Sequence, residues 1–145
     1  MARILLVGYD PETVDFSDPA LPPGMTAEKI RAGIAVALRQ FADRGWEADV
    51  GFIRPDETAG PTVERQLASA RYDCVVIGAG VRLPPRRLAV FEAVINAVHK
   101  AAPGAAYAAA RLISGATSRL QRSGMRPNTE CHLLNAPGSS TETDR

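Results

Sequence analysis

Cysteine is scarce in this chain, aromatic residues are few and no apolar run is long. Two cysteines, Cys74 and Cys131, in 145 residues make neither a disulfide framework nor a zinc site. Cys74 lies inside the apolar run DCVVIG and reads as a small packed hydrophobe. Cys131 lies in a polar stretch. The two histidines, His99 and His132, stand far apart without ligand spacing, so no metal is expected. Nothing approaches the run of about 18 apolar residues that spans a bilayer, so no membrane partner is expected. The opening MARILLVGYD has four consecutive apolar residues before a glycine, too few for the core of a signal peptide, and a cytoplasmic protein is expected. Charge of one sign is missing too. The formal net charge of +1 argues against a dedicated nucleic-acid binder.

Several motifs are absent. The first glycine turn reads G-Y-D-P-E-T, not the G-x-G-x-x-G of dinucleotide binding. There is no G-x-x-x-x-G-K-[ST] phosphate loop and no G-x-S-x-G nucleophile elbow. A receiver domain needs an aspartate at the end of the third strand, where this chain has Gly78. A flavodoxin-type FMN loop is rich in serine and threonine after the first strand; here that loop is acidic and proline-rich.

What is present alternates between two periodicities. Apolar residues make up 46% and charged residues 23%, the balance of one globular domain with one core. RILLVG, 3–8, is continuously apolar and predicts a strand buried on both faces. Thr26 is a candidate N-cap, and Ile30, Ile34, Ala37, Leu38 and Phe41 recur at helical spacing up to Gly45. Residues 48–53 alternate and predict a second strand nearer an edge. Trp46, just past the helix, reads as a rim residue that packs the helix onto the sheet. Pro61 opens a short helix over 62–69. DCVVIG, 73–78, is the third strand. Leu88, Phe91, Val94, Ile95 and Val98 form a helical stripe that stops at Pro103-Gly104, with His99 placed to favour the helix dipole. A fourth, poorly patterned strand is placed near 105–109.

Strands alternating with helices mean a mostly parallel sheet with helices on both faces. The expected fold is a three-layer, doubly wound α/β domain of flavodoxin-like or Rossmann-like order, spanning 1–122. Residues 123–145 are expected to be a disordered tail. The tail holds no valine after Val98 and no aromatic residue after Tyr107. The ordinary reading is a poor fourth strand followed by a short helix; a shifted reading frame in a GC-rich gene is the alternative account of such a composition.

In open α/β sheets ligands bind beyond the carboxyl ends of the strands, where strand order reverses. That places a candidate site between the loop after the first strand and the loop after the third. The first loop, Tyr9 to Met25, is long enough to suggest a function. Asp10 follows the strand directly and is the candidate acid, base or metal ligand; Gly8 and Tyr9 flank it, and Tyr9 and Phe16 are candidate covering groups. The ordinary alternative is that aspartates before Pro11 and Pro19 form turns. The second loop supplies Gly78, Ala79 and Gly80, whose backbone N–H groups suit an anion, and Arg82, whose guanidinium suits a phosphate or carboxylate. A helix beginning near Pro84 or Pro85 points its positive end there, and Arg86 and Arg87 oppose its dipole. Against this, Arg82 pairs with the acidic loop and the glycines serve only packing. The two functional readings are a small anionic ligand, with no cofactor specified, and a non-catalytic interaction module or homodimer.

The segments RILLVGYDPETVDFSDPALPPGMTAEKI, YDCVVIGAGVRLPP and FEAVINAVHKAAPGA resemble a family of small bacterial α/β proteins of unassigned activity, over residues 1–106. The resemblance implies a Rossmann-like domain, a bacterial cytoplasmic source and no particular reaction. It also implies another strand after Pro103-Gly104.

Overall fold

A computed structural model of the chain describes residues 2–19, 21, 23–82 and 88–109. The expectations for Pro84 to Arg87, Cys131, His132 and the tail lie outside the described residues.

Strand β1, Arg3–Tyr9, is followed by a 3-10 turn at Pro11–Thr13. Helix α1 spans Ala27–Asp43, β2 spans Glu47–Ile53 and α2 spans Ala59–Ser69. Strand β3, Cys74–Ile77, leads into a one-turn helix, α3, Ala79–Arg82. Helix α4, Leu88–Ala101, and β4, Ala106–Ala109, complete the described part. All strand pairings are parallel, in the order β2-β1-β3-β4. The chain is therefore a mixed α/β protein with a parallel sheet, as the alternation of periodicities predicts.

Local chemistry explains the element ends. Thr26 accepts from the Lys29 N–H at 3.2 Å and so caps α1, the role the sequence predicts for it. At the other end Gly45 adopts φ +74°, and its N–H reaches the Ala42 carbonyl at 2.8 Å. The Trp46 N–H reaches the Phe41 carbonyl at 3.1 Å, and the two rings stack with centroids 6.1 Å apart. That is a Schellman termination with its apolar clasp. Trp46 packs α1 onto the sheet as expected, but from a buried position, not from the rim. Helix α2 begins at Ala59, before the proline that was expected to open it.

Parity along the strands sorts the core. Ile4, Leu6, Cys74 and Val76 face Ala37 and Phe41 of α1. Leu5, Val7, Val75 and Ile77 face Val63 and Leu67 of α2 and Val94, Ala97 and Val98 of α4. β1 and β3 are covered on both sides, which is why their sequences run continuously apolar. β2 is an edge strand with half-exposed positions, which is why its sequence alternates. Cys74 is fully buried in the core beside Ile4, Leu6 and Val76, as its apolar surroundings predict. Lys100 at the end of α4 bridges to Glu64 of α2 at 3.2 Å. Among the described residues no helix is long and apolar enough to cross a membrane.

Candidate functional site

The expected site is at the carboxyl ends of β1 and β3. Val7 pairs with Ile77, and just beyond that pair Gly78 leaves the sheet beside Gly8, which stays in β1 paired with Phe52 of β2. The Gly78 N–H donates to the Val7 carbonyl at 2.9 Å. A Cβ at position 78 would stand 3.2 Å from that carbonyl oxygen and 3.9 Å from the Gly8 Cα. Glycine at 78 therefore serves the close approach of two backbones, and its N–H is already committed to the sheet.

Beyond Gly78 the chain turns at once into α3, an element the sequence does not signal. The Val81 N–H donates to the Gly78 carbonyl at 3.1 Å, and the Val81 side chain enters the core beside Tyr9, Ile53 and Val94. Ala79 and Arg82 are half-buried, while Gly80 is exposed with nothing within 4 Å of where a Cβ would stand. Around Gly8 the same space is open. Gly8, Gly78 and Gly80 thus leave the junction of the two loops free of side chains of their own.

The first loop is organised by its own carboxylates. The Asp10 N–H extends the β1–β2 ladder by donating to the Ile53 carbonyl at 2.9 Å. The Asp10 carboxylate accepts from the Glu12 N–H at 3.0 Å, and its carbonyl accepts from the Thr13 N–H and hydroxyl. Asp10 is the cap of the 3-10 turn. Asp15 accepts in the same local way from the Ser17 N–H at 3.0 Å. Glu12 pairs with Arg31 of α1, Pro11 is buried and Val14 packs against the core. Tyr9 does not cover the loop; its ring belongs to the core. Phe16, the other candidate cover, is 38% exposed. Among the described residues no ion pair joins Asp10 to Arg82, and no three His, Cys, Asp or Glu side chains converge on a metal position.

A polar cluster lies at the opposite, amino end of the sheet, where no sequence motif marks it. Arg3 donates through Nε and Nη2 to Asp49 Oδ2 at 3.1 and 2.9 Å. The Tyr72 hydroxyl donates to the same oxygen at 2.8 Å and accepts from Gln66 Nε2 at 3.0 Å. The Arg3 guanidinium also sits 5.4 Å from the centroid of the Tyr72 ring, and the Arg3 N–H donates to Asp73 Oδ2 at 2.9 Å. The Tyr72 hydroxyl, then Arg3, hold the Asp49 carboxyl below its ordinary value. Burial, with help from Asp49, pushes the Tyr72 phenol up. Asp49 is visible in the sequence as a charge on an alternating strand, but its partners become visible only when three strand starts are set in register. Beside this cluster an open groove of about 500 Å³ runs between the carboxyl ends of α2 and α4, lined among others by Leu67, Arg71, Tyr72, Asp73, Ala101 and Gly104.

No family model, no curated protein and no solved structure matches this chain.

Proposed function

We propose that the chain is a small-molecule binding protein of the doubly wound, flavodoxin-like type, acting in the cytoplasm, whose ligand carries an anionic group and sits between the loops after β1 and β3. The observation that supports this reading is the close approach of Gly78 to Gly8 where the strand order reverses, with open space at Gly8 and Gly80. Two glycine-bordered strand ends at a switch point let a ligand approach main chain on both sides. Gly80 and Ala79 offer backbone to it, and Arg82 offers the charge that a phosphate or carboxylate requires. Asp10 borders the same opening but spends its carboxylate on the turn, so its role is to shape the loop. No reaction is assigned.

The experiment is thermal unfolding in the presence of inorganic phosphate, adenine and guanine nucleotides, flavin mononucleotide and small dicarboxylates. A ligand present at about a hundred times its Kd adds about 2.7 kcal/mol, several degrees for a domain of this size. The reading expects such a shift from one class of anion and its loss in Arg82→Ala. No shift across the panel, or a shift indifferent to Arg82→Ala, counts against it.

A further inference from the structure

We infer that the ligand of the site proposed above carries a planar aromatic ring, which lies over Gly8 against the side chain of Phe52 on the α1 side of the sheet; the inference rests on that reading of the site. Gly8 is a glycine without a structural reason. It lies inside β1, between Val7 and Tyr9, in register with Phe52. Its φ is not positive, so its backbone conformation is open to any residue. A Cβ there would meet nothing within 4 Å. Its neighbours are different. A Cβ at Gly51 of β2 would stand 3.3 Å from the Leu5 side chain, and one at Gly78 would stand 3.2 Å from the Val7 carbonyl. Glycine inside a strand weakens it, through chain entropy and the missing side chain, and often marks the place where a ligand comes close to the main chain. Nothing in the described fold offsets that weakening at position 8.

Phe52 says what the ligand is. Side chains alternate along a strand, and parallel partners in register share a face. Ile4 and Leu6 face α1, so the space over Gly8 and the Phe52 side chain open on that face too. Ala48, further back on the same face of β2, packs into the α1 cluster, whereas Phe52 is 44% exposed. Among the described residues its ring makes no aromatic or cation contact. Adjacent strands lie about 4.8 Å apart, so the place over Gly8 falls within the separation of about 4.5–7 Å that ring centroids prefer. Any side chain at position 8 would cover that flank of Phe52. Glycine leaves it bare, with main chain as the floor and an aromatic wall beside it. A flat ring fits both surfaces, while a sugar or a bare anion gains nothing from Phe52. Gly78 lies beside Gly8 and leads directly into α3, so the place for the ring adjoins the turn assigned to the anion. The ligand class is a planar heteroaromatic ring joined to an anionic group, the chemistry shared by nucleotides and flavin mononucleotide.

The test is calorimetric titration of the full chain with adenosine monophosphate, flavin mononucleotide and ribose 5-phosphate, the last carrying the anion without the ring. One of the two ringed ligands is expected to bind at least about tenfold more tightly than ribose 5-phosphate, the scale of a base stacked on an aromatic side chain. Which of them binds better identifies the source of the ring. Phe52→Leu is expected to remove most of that factor and to leave ribose 5-phosphate unchanged. Gly8→Val is expected to raise the unfolding temperature of the free protein, because a β-branched side chain on a strand enters open space, and to abolish the preference for a ring. Ringed ligands that bind no better than ribose 5-phosphate overturn the inference. So does a preference for the ring that survives Phe52→Leu, or a Gly8→Val protein that melts below the wild type. The two readings fail differently. Ribose 5-phosphate binding that is lost in Arg82→Ala, with no gain from a ring, overturns the ring and keeps the anion site. Ring binding that depends on Phe52 but is indifferent to Arg82→Ala keeps the ring and removes the anion site. No binding of any of the three overturns both.

Discussion

The Tyr72 hydroxyl donates to Asp49 across the space between the start of β3 and the edge strand β2, 2.8 Å away. This bond joins segments that never pair in the sheet, since β1 lies between them. Replacing Tyr72 by phenylalanine removes the donor to Asp49 and the acceptor for Gln66 at once. The expected loss is about 1 kcal/mol at neutral pH, a few degrees of unfolding temperature. A melting temperature equal to the wild type would show the network to be unimportant.

The same bond sets a pH profile. Asp49 is depressed by Tyr72 and Arg3, so its contribution is complete above the free carboxyl value of about 3.9 and fades as pH falls through its lower folded value. Tyr72 is raised, mainly by burial, so its contribution is complete below about 10 and fades as pH rises through its higher folded value. Urea midpoints measured from acid to alkaline pH are expected to show a plateau between these limits. In Tyr72→Phe the alkaline fall shrinks, and the acid fall shrinks because Asp49 loses its strongest stabiliser. Superimposable profiles for the two proteins would contradict this assignment.

The glycines at the β3 exit separate by function. Gly78→Ala forces a methyl to 3.2 Å from the Val7 carbonyl, so the β1–β3 junction must spread; a loss of about 1–3 kcal/mol is expected. Gly80→Ala meets open space inside a helical turn and is expected to be neutral or to stabilise by about 0.5–1 kcal/mol. Denaturant melts of the two variants make the comparison; equal effects would mean the backbones do not approach as described.

Asp10 distinguishes turn chemistry from site chemistry. Asp10→Asn keeps an oxygen for the Glu12 N–H and should retain nearly all stability, whereas Asp10→Ala should lose about 1 kcal/mol. If the carboxylate served a ligand, Asn would already abolish a ligand-induced thermal shift. The expectation is that Asn preserves any such shift.

Gly45 holds φ +74° while two carbonyls of α1 are satisfied behind it. Gly45→Ala is expected to cost about 1–2 kcal/mol, the ordinary penalty for an L side chain in that region. Gly45→Asn should cost less, since asparagine tolerates the left-handed conformation. Circular dichroism melts of the pair test this.

The elements of this protein are written locally. The helical spacing from Ile30 to Phe41, the Thr26 cap and the Gly45 stop act within a few residues of one another, so α1 follows from its own sequence. The continuous apolar runs of β1 and β3 against the alternation of β2 likewise indicate which strands are covered and which is an edge. What each polar side chain does was decided elsewhere. Asp10 had equal chemical claim to a ligand and to a turn, and the path of the chain toward Ile53 gave its carboxylate to the Glu12 N–H. Tyr9 looked like a cover, yet strand parity turned it toward Val81 and Ile53. Arg3, Asp49 and Tyr72 are separated by 46 and 23 residues along the chain and meet only because two crossovers bring three strand starts to one end of the sheet. Spacing along a chain sets a periodicity. Register between distant strands is set by how well two faces pack, and only the folded sheet expresses that.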